Sequence, residues 1–335
     1  MLKRRLCEAR FEWKLSCEGP LLIADGRYEK KRTEGEDRGK SPHKIFISRA
    51  PEEKVRQIAE QARTAEQVRL PFFVPGTSLR GPVRAQAERI LRTLIEGSAP
   101  ATACDPFQQG QGPAQSCSKR LDETHADVPY AAACPACRLF GCTGTASRIQ
   151  FSDADIDKSA RSVFRDMIGI DRFTGGVYQG EIGAAGKKSG GANMRFHALE
   201  GASFTTAVNL VNFELWQLGL LAFVFRDFEE GLVSIGFGKT KGFGQVKGTI
   251  GKIQLVYPNG RHKGKIQHLY SLAEQERNAY HLHPYEAPDF GLEKVGSGSL
   301  DLFETFEVRD VPGFWATVAP AFTDFVEKRQ SGEAA

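Results

Sequence analysis

The 335-residue chain lacks any apolar run of about 20 residues, the length that a helix needs to cross a bilayer. Residues 1–5 are basic, but neither an apolar segment nor a small-residue cleavage site follows them, so we expect no signal peptide. A strong charge excess is also missing, because 45 lysines and arginines stand against 41 aspartates and glutamates. The net charge of +4 is compatible with a nucleic-acid partner without indicating one. We therefore expect a protein without a membrane partner.

The seven cysteines are an odd number, which argues against a disulfide framework and favours a reducing compartment. For this reason we expect the protein in the cytoplasm. Four of the seven follow the spacing C-x12-C-x16-C-x2-C, in which the last pair can direct two thiolates of one turn at a single ion. Zinc prefers four such soft ligands in a closed tetrahedron. The predicted ligands of a structural zinc ion are Cys104, Cys117, Cys134 and Cys137.

Other residues of the same region are alternatives to this quartet. Cys142 would replace Cys104 if the region folds differently, and His125 is a weaker rival. Buried free thiols are the simplest alternative to zinc, although they seldom cluster in this way. Cys7 and Cys17 lie on or beside the first predicted strand, and we interpret them as core thiols.

Hydrophobic periodicity indicates an α+β chain with long insertions. Strands are predicted over residues 9–17, 45–47, 70–74, 148–152 and 203–210. Helices are predicted over residues 51–65, 77–94 and 213–228, and a glycine-bent hairpin over residues 233–250.

The helix that begins near residue 77 has an unusual first turn. Thr77 or Ser78 is predicted to cap it. Arg80 lies in the first turn, beside the unpaired N–H groups of the helix start, where an anion is readily bound. The arginines further along, Arg84 among them, have the pattern of an ordinary solvated helix face.

Two glycine-rich segments differ in what they predict. Residues 171–193 are too poor in apolar residues to pack alone, which indicates a functional arm or a disordered segment. Residues 236–244, the glycine hairpin, read G-F-G-K-T-K-G-F-G, so consecutive N–H groups can converge on a phosphate. Its lysines and phenylalanines suit single-stranded nucleic acid, and a tight structural hairpin is the alternative. The spacing of a P-loop is absent, so nucleotide hydrolysis is not predicted.

Four motifs in a fixed order resemble the CRISPR-associated RAMP superfamily, and in particular its type III backbone subunits. The first is F-V-P-G-T-S-L-R-G at residues 73–81, and the second is C-P-A-C-R-L-F-G at 134–141 with A-S-R-I-Q-F-S-D at 146–153. The third is D-R-F-T-G-G at 171–176, and the glycine hairpin is the fourth. The resemblance runs from about residue 9 to 250.

The resemblance implies a modified RRM-like, or ferredoxin-like, core with an antiparallel sheet in residues 1–255. A zinc-knuckle insertion would occupy about residues 97–145 (the cysteine insertion), and a thumb-like arm about residues 171–195 (the arm). Residues 256–335 form a C-terminal extension outside the resemblance. We expect its aromatic residues to pack on the core, and docking of a neighbouring subunit is the alternative. Such subunits polymerise along a CRISPR RNA with other subunits of an antiviral effector complex, and the thumb displaces one base pair between guide and target RNA.

The same resemblance implies which residues bind RNA. The glycine hairpin and the turn at residues 77–80 would grip the guide backbone, and the arginines would contact phosphates. The predicted RNA-binding residues are Thr77, Ser78, Arg80, Arg84, Arg148, Arg172, Phe173, Lys239, Lys241 and Phe243.

In type III backbones a loop aspartate after the first strand cuts target RNA with a divalent cation such as Mg²⁺. The corresponding loop here is residues 25–43 (the candidate loop), with Asp37 as first and Asp25 as second candidate. His43 stands where an acid is expected, and it is an alternative base. A non-catalytic scaffold is the second reading of function. A stand-alone enzyme that trims guide precursors is a third, against which the four cysteines argue.

Overall fold

The computed structural model describes residues 3–28, 41–97, 100–108, 115–124, 128–178, 193–262, 264–295 and 302–331. The strands are β1 (Glu8–Cys17), β2 (Phe73–Val74), β3 (Ile149–Phe151), β4 (Ala154–Asp155), β5 (Arg161–Ile168), β6 (Asn193–Glu200), β7 (Ser203–Val211), β8 (Val246–Pro258), β9 (Glu293–Lys294) and β10 (Phe303–Val308). The helices are α1 (Glu52–Gln61), α2 (Gly76–Leu94), α3 (Cys117–Thr124), α4 (Pro129–Ala132), α5 (Pro135–Phe140), α6 (Leu215–Glu229), α7 (Glu274–Ala279) and α8 (Val311–Gln330). Short 3-10 turns lie at Ala65–Gln67, Lys239–Lys241 and Leu269–Ser271.

The main sheet has six antiparallel strands in the order β3-β7-β1-β8-β10-β9. Helix α2 lies in the chain between β1 and β3, and α6 lies between β7 and β8. Four strands in the spatial order β3-β7-β1-β8, with these two helices, form the split β-α-β arrangement of ferredoxin-like folds. The predicted α+β fold with an antiparallel, ferredoxin-like core is therefore confirmed.

The sequence of β1 explains why one face of the sheet is buried. Ala9, Phe11, Trp13 and Leu15 alternate with polar residues and are almost fully buried. A strand has a side-chain period of two, so this alternation places all four on one face. Rings of α6 and α8 cover that face, for example Phe225, whose centroid lies 5.3 Å from that of Trp13.

The C-terminal extension continues this architecture. Strand β10 pairs with β8, and Phe325 of α8 stacks on Trp216 of α6 with ring centroids 4.2 Å apart. A Cβ atom at Gly219 would lie 2.7 Å from the carbonyl oxygen of Val318, so the two helices approach closely only because residue 219 is glycine. The aromatic residues of the extension pack on the core, as expected, and the division at residue 255 stays a prediction.

The predicted boundaries of one helix and two strands were wrong. Helix α2 begins at Gly76 with Pro75 as its N-cap residue, so Thr77 and Ser78 lie inside its first turn instead of capping it. The strand predicted over 45–47 is reduced to a bridge at Phe46, and the strand predicted over 70–74 shortens to β2, which pairs with β4 at two residues. Across the described ranges, the helices are each too short or too polar to span a membrane.

Candidate functional site

The four predicted zinc ligands come together in the cysteine insertion. Cys117 begins α3, Cys134 precedes α5 and Cys137 lies within α5. With Cys104, their four buried sulfur atoms all lie within 4.8 Å of one another. The Cys104 and Cys137 sulfurs are 3.7 Å apart, close to the edge of about 3.8 Å expected for a tetrahedron with Zn–S bonds of about 2.3 Å. The quartet therefore fits a soft divalent metal such as zinc.

The pKa of each thiol in the quartet depends on the other thiols beside it. Contacts with Cys104, Cys134 and Cys137 lower the pKa of Cys117, because neighbouring S–H groups stabilise its thiolate. Contacts with Cys104 and Cys117 raise the pKa of Cys134 well above its usual value. Without a metal ion, ionisation of one thiol therefore makes ionisation of its neighbours less favourable. A divalent cation would supply the positive charge that keeps all four deprotonated.

Cys142 lies beside the quartet, with its side chain in contact with Cys137, and the His125 alternative stays a prediction. Cys142 follows α5 in a tight turn, where its N–H and carbonyl both pair with Thr145, at 2.8 and 3.0 Å. Its sulfur is outside the group of four. His125 lies outside the described residues.

Three arginines of α2 face the cysteine insertion. Arg80 donates to the carbonyl oxygen of Phe140, and Arg84 donates to that of Gly141 at 3.1 Å. Arg92 donates to the carbonyl oxygen of Cys104 at 2.6 Å. Burial, followed by repulsion from Arg84, lowers the pKa of Arg80. The RNA contacts of Arg80 and Arg84 stay predictions, and in this structure both guanidinium groups bind carbonyls of the cysteine insertion.

Arg148 is likewise turned inward. Its side chain is buried, donates to the carbonyl oxygen of Asn212 and lies 4.1 Å from the ring centroid of Tyr130. A phosphate could reach it only if this part of the core opened. We therefore leave Arg148 out of the RNA interface.

The first turn of α2 is held by backbone contacts. The N–H of Gly76 donates to Asp153 Oδ1 at 2.9 Å. A Cβ atom at Gly76 would lie 2.1 Å from the carbonyl oxygen of Phe151, which explains the glycine of this motif. Thr77 is exposed and Ser78 is half-buried, so both remain candidates for contact with a ligand.

The glycine hairpin presents lysines rather than aromatic rings. Positive φ angles at Gly236, Gly238, Gly242 and Gly244 bend the chain back on itself. The 3-10 turn at its tip exposes Lys239 and Lys241, whereas Phe243 is only 4% exposed. Burial and the nearby Arg89 lower the pKa of Lys239. The predicted stacking of Phe243 on RNA is not supported, because its ring belongs to the core.

The arm extends from the β5–β6 hairpin. Oδ1 of Asp171 accepts the N–H groups of Phe173 at 2.8 Å and Thr174 at 3.1 Å, which closes a turn. This turn leaves Phe173 fully exposed at 100%, next to exposed Arg172. Further apolar side chains around it are exposed: Ile168, Ile170 and Val177. Residues 179–192 of the arm lie outside the described residues.

Strand β6 connects the arm to three other predicted features. The N–H of His43, at the end of the candidate loop, donates to the carbonyl oxygen of Arg195 at 2.6 Å. Phe196 packs against Phe237 of the glycine hairpin with centroids 5.2 Å apart. His197 lies 5.3 Å from the ring of Phe72, which immediately precedes the first RAMP-like motif. Segments that are far apart in the sequence therefore meet at the base of the arm.

The catalytic candidates have different surroundings. Asp25 is buried, and its two oxygens accept from Nε of Arg27 at 2.9 Å and from Nη2 at 2.6 Å. Burial alone would raise the pKa of Asp25, but the hydrogen bonds and charge of Arg27 outweigh it and lower that pKa. Nδ1 of His43 accepts the N–H of Arg195 at 3.0 Å, so in the neutral ring Nε2 carries the proton. Asp37 lies outside the described residues.

Strands β5 and β6 are the main feature that the sequence interpretation missed. Met194, Phe196 and Ala198 alternate with Arg195 and His197, which is the signal that could have identified β6.

Comparison with protein families supports the resemblance. The RAMP superfamily model matches residues 14–247, which is more than half of the chain. A search of curated proteins found no match. RAMP proteins generally bind CRISPR RNA and work in effector complexes. The motifs, the ferredoxin-like core and this match agree that the chain belongs to the RAMP superfamily.

Proposed function

We propose that this chain is a CRISPR RNA-binding backbone subunit of a type III antiviral effector complex in the cytoplasm. The observation that carries the proposal is the meeting of the arm, the candidate loop and the glycine hairpin at β6. The predicted RNA-binding residues that are exposed are Arg172, Phe173, Lys239, Lys241 and Thr77, and Ser78 beside Thr77 is half-buried.

The outward face of the sheet favours a different mode of binding from that of an ordinary RRM. RRM domains stack bases on aromatic residues of the sheet. In β1 the outward residues are instead Arg10, Glu12 and Lys14. We therefore assign RNA contact to the loops at the edge of the core, where charge and backbone N–H groups hold phosphates while base pairing reads the sequence.

Phe173 fits the role of a wedge between guide and target RNA. Its ring is fully exposed at the end of a hairpin, and an exposed ring can stack on an unpaired base. The neighbouring Arg172 adds a cation that can hold a phosphate beside the stacked base. The structural metal of the cysteine insertion, for which zinc is the proposed ion, would hold α3 and α5 against α2.

Cleavage of target RNA is the second part of the proposal. It rests on the resemblance of the candidate loop, with Asp37 as the residue that would bind a divalent cation such as Mg²⁺ and direct the attacking 2′-OH. Asp25 is less suited, because Arg27 occupies both of its oxygens. His43 is less suited as a base, because Nδ1 already accepts a hydrogen bond. A non-catalytic scaffold is the alternative.

RNA binding is tested with the double variant Lys239→Met and Lys241→Met, using a labelled single-stranded RNA titrated at several salt concentrations. Each lost phosphate contact reduces the salt slope by about 0.7, so the double variant should reduce it by about 1.4 and weaken binding. The control is Lys247→Met with Lys252→Met, which removes the same charge from β8, where the two lysines pair with Glu18 and Glu307. Equal losses in both double variants would contradict a specific role for the hairpin.

Cleavage is tested in the complex assembled with guide RNA, Mg²⁺ and labelled target RNA. Asp37→Ala should abolish the cuts while guide and target binding stay unchanged, because only the cation and the nucleophile lose their ligand. If Asp37→Ala cuts target RNA as the wild type does, or if the wild type does not cut, the result would favour the non-catalytic scaffold.

A further inference from the structure

We infer that Arg84 and Arg120 are positioning residues of the metal centre, which offset the charge of the four thiolates so that the site retains a divalent cation. The inference rests on the proposed metal site, and it concerns residues outside the quartet. Nη2 of Arg84 lies 3.6 Å from Cys137 Sγ, and Nη2 of Arg120 lies 3.6 Å from Cys117 Sγ. The two guanidinium groups therefore contact different sulfurs from different helices, α2 and α3.

The charge of the centre explains why such contacts matter. Four thiolates and one divalent cation together carry a charge of −2, and all four cysteines are buried. A buried net charge is unfavourable unless opposite charges or hydrogen bonds offset it. The backbone contributes two donors, since Cys104 N–H points to Cys134 Sγ at 3.4 Å and Cys134 N–H to Cys117 Sγ at 3.3 Å. The two arginines add a positive charge within hydrogen-bonding distance of two of the sulfurs.

Both guanidinium groups are held in place by further partners. Arg84 donates through Nε to Glu88 at 2.7 Å and through Nη1 to the carbonyl oxygen of Gly141 at 3.1 Å. Arg120 donates through Nη2 to the carbonyl oxygen of Ala132, two residues before Cys134. Groups that are oriented in this way stabilise thiolates without reorganisation when the metal binds, as outer ligands of metal sites commonly do.

Arg92 provides a matched control within the same helix. It donates to the carbonyl oxygens of Ala103 at 3.2 Å and Cys104 at 2.6 Å, and it also pairs with Glu88 at 3.2 Å. Its hydrogen bonds to the described part of the cysteine insertion go to carbonyls rather than sulfurs. An arginine that only packs the insertion onto α2 should behave like Arg92, whereas one that offsets thiolate charge should not.

The test compares Arg84→Met, Arg120→Met and Arg92→Met with the wild type, each loaded with zinc. Zinc transfer to an excess of chromogenic chelator is followed by absorbance. We expect retention to weaken by about 10- to 100-fold in Arg84→Met and Arg120→Met, the range typical of lost outer ligands. Retention should weaken clearly less in Arg92→Met, which loses packing around Cys104 and Glu88 but no contact with a sulfur. Arg84→Lys keeps the charge and should restore most of the retention.

A spectroscopic measurement separates charge from packing. In the cobalt-loaded protein, the sulfur-to-cobalt charge-transfer band should shift to lower energy in Arg84→Met and stay in place in Arg92→Met, because only Arg84 donates to a sulfur. Equal metal loss in Arg84→Met and Arg92→Met, or no shift of the band, would overturn the inference. So would failure of the wild type to bind zinc or cobalt. If Arg84→Met does not fold, the same measurements on Arg120→Met and Arg84→Lys decide the question.

Discussion

At the scale of single residues, His197 lies at the base of the arm with no exposed surface. Nδ1 faces the N–H of Phe46 at 3.4 Å, and Nε2 faces the hydroxyl of Ser162 at 3.1 Å. Burial lowers the pKa of His197 to about 3, so the ring is neutral near pH 7. A neutral ring in this position joins β6, β5 and the segment after the candidate loop without a buried charge.

This burial predicts a loss of stability in acid. The unfolded ring has a pKa of about 6.5, so below that pH the unfolded chain binds a proton that the folded chain does not. The stabilising contribution is full above pH 6.5 and is lost as the pH falls toward 3. When the pH is lowered from 7 to 5, the wild type should lose about 2 kcal/mol more of its unfolding free energy than His197→Gln does. Urea unfolding at both pH values measures this difference.

The control for this prediction is His281→Asn, which removes an exposed ring at a position of positive φ that asparagine tolerates. Its pH dependence should match that of the wild type. An unchanged slope in His197→Gln would show that His197 does not carry the acid sensitivity.

At the scale of elements, the glycine hairpin lies against the segment that follows β1. Phe237 N–H donates to the carbonyl oxygen of Leu22 at 2.7 Å, and Gly244 N–H donates to that of Pro20 at 2.8 Å. The rings of Phe237 and Phe243 pack against Phe196 of β6, so apolar contacts support the hairpin that carries the exposed lysines. The hairpin therefore holds two cations on an apolar support, and its shape depends on glycine at defined positions.

Two glycines of this hairpin differ in a way that can be measured. Gly242 and Gly244 both have positive φ, at +77° and +75°. A Cβ atom at Gly244 would lie 1.9 Å from the carbonyl oxygen of Ile235, whereas nothing lies within 4 Å of one at Gly242. Gly242→Ala should cost about 1 kcal/mol of unfolding free energy for the backbone alone, and Gly244→Ala about 3 kcal/mol or more. Equal costs in thermal or urea unfolding would contradict this account of the close contact.

At the scale of the whole molecule, the C-terminal extension is joined to the core by apolar and polar contacts. The N–H of His283 donates to Glu214 at the start of α6 at 2.8 Å, and Nε2 of His283 lies 2.7 Å from Asp324 of α8. Beside them the Phe325 ring stacks on Trp216 at an interplanar angle of 9°. These contacts make α6 the common support of the ferredoxin-like core and the extension.

Loss of the Phe325 ring should therefore destabilise the whole chain. Phe325 is 2% exposed, and removal of such a ring costs about 3–5 kcal/mol because a cavity remains beside Trp216. Phe325→Ala should lower the midpoint of one unfolding transition followed by both tryptophan fluorescence and far-ultraviolet circular dichroism. Leu302→Ala, at a residue that is 78% exposed, is the control and should change stability by less than about 0.5 kcal/mol. A separate early transition in Phe325→Ala would instead show that the extension unfolds on its own.

Much of this protein could be predicted from short stretches of sequence. The period of two in β1, the spacing of the four cysteines and the glycines of the hairpin each depend on neighbours along the chain. Local geometry decides which way such residues can point, so these predictions needed no tertiary information. The order of the four RAMP-like motifs likewise belongs to the sequence alone.

The roles of the long charged and aromatic side chains were decided only by the tertiary structure. Arg84 and Arg148 are of the residue type that commonly contacts nucleic acid. In the structure, however, Arg84 binds the cysteine insertion and Arg148 lies against the ring of Tyr130. Phe243 looks like a stacking ring and is part of the core. Sequence spacing determines on which side of its own element a residue lies, whereas burial depends on segments that are distant in the chain. The spacing of the cysteines along the chain therefore predicted the four metal ligands. The contacts of Arg84 and Arg120 with their sulfurs could not be predicted in this way, because they depend on how α2 and α3 pack around the site.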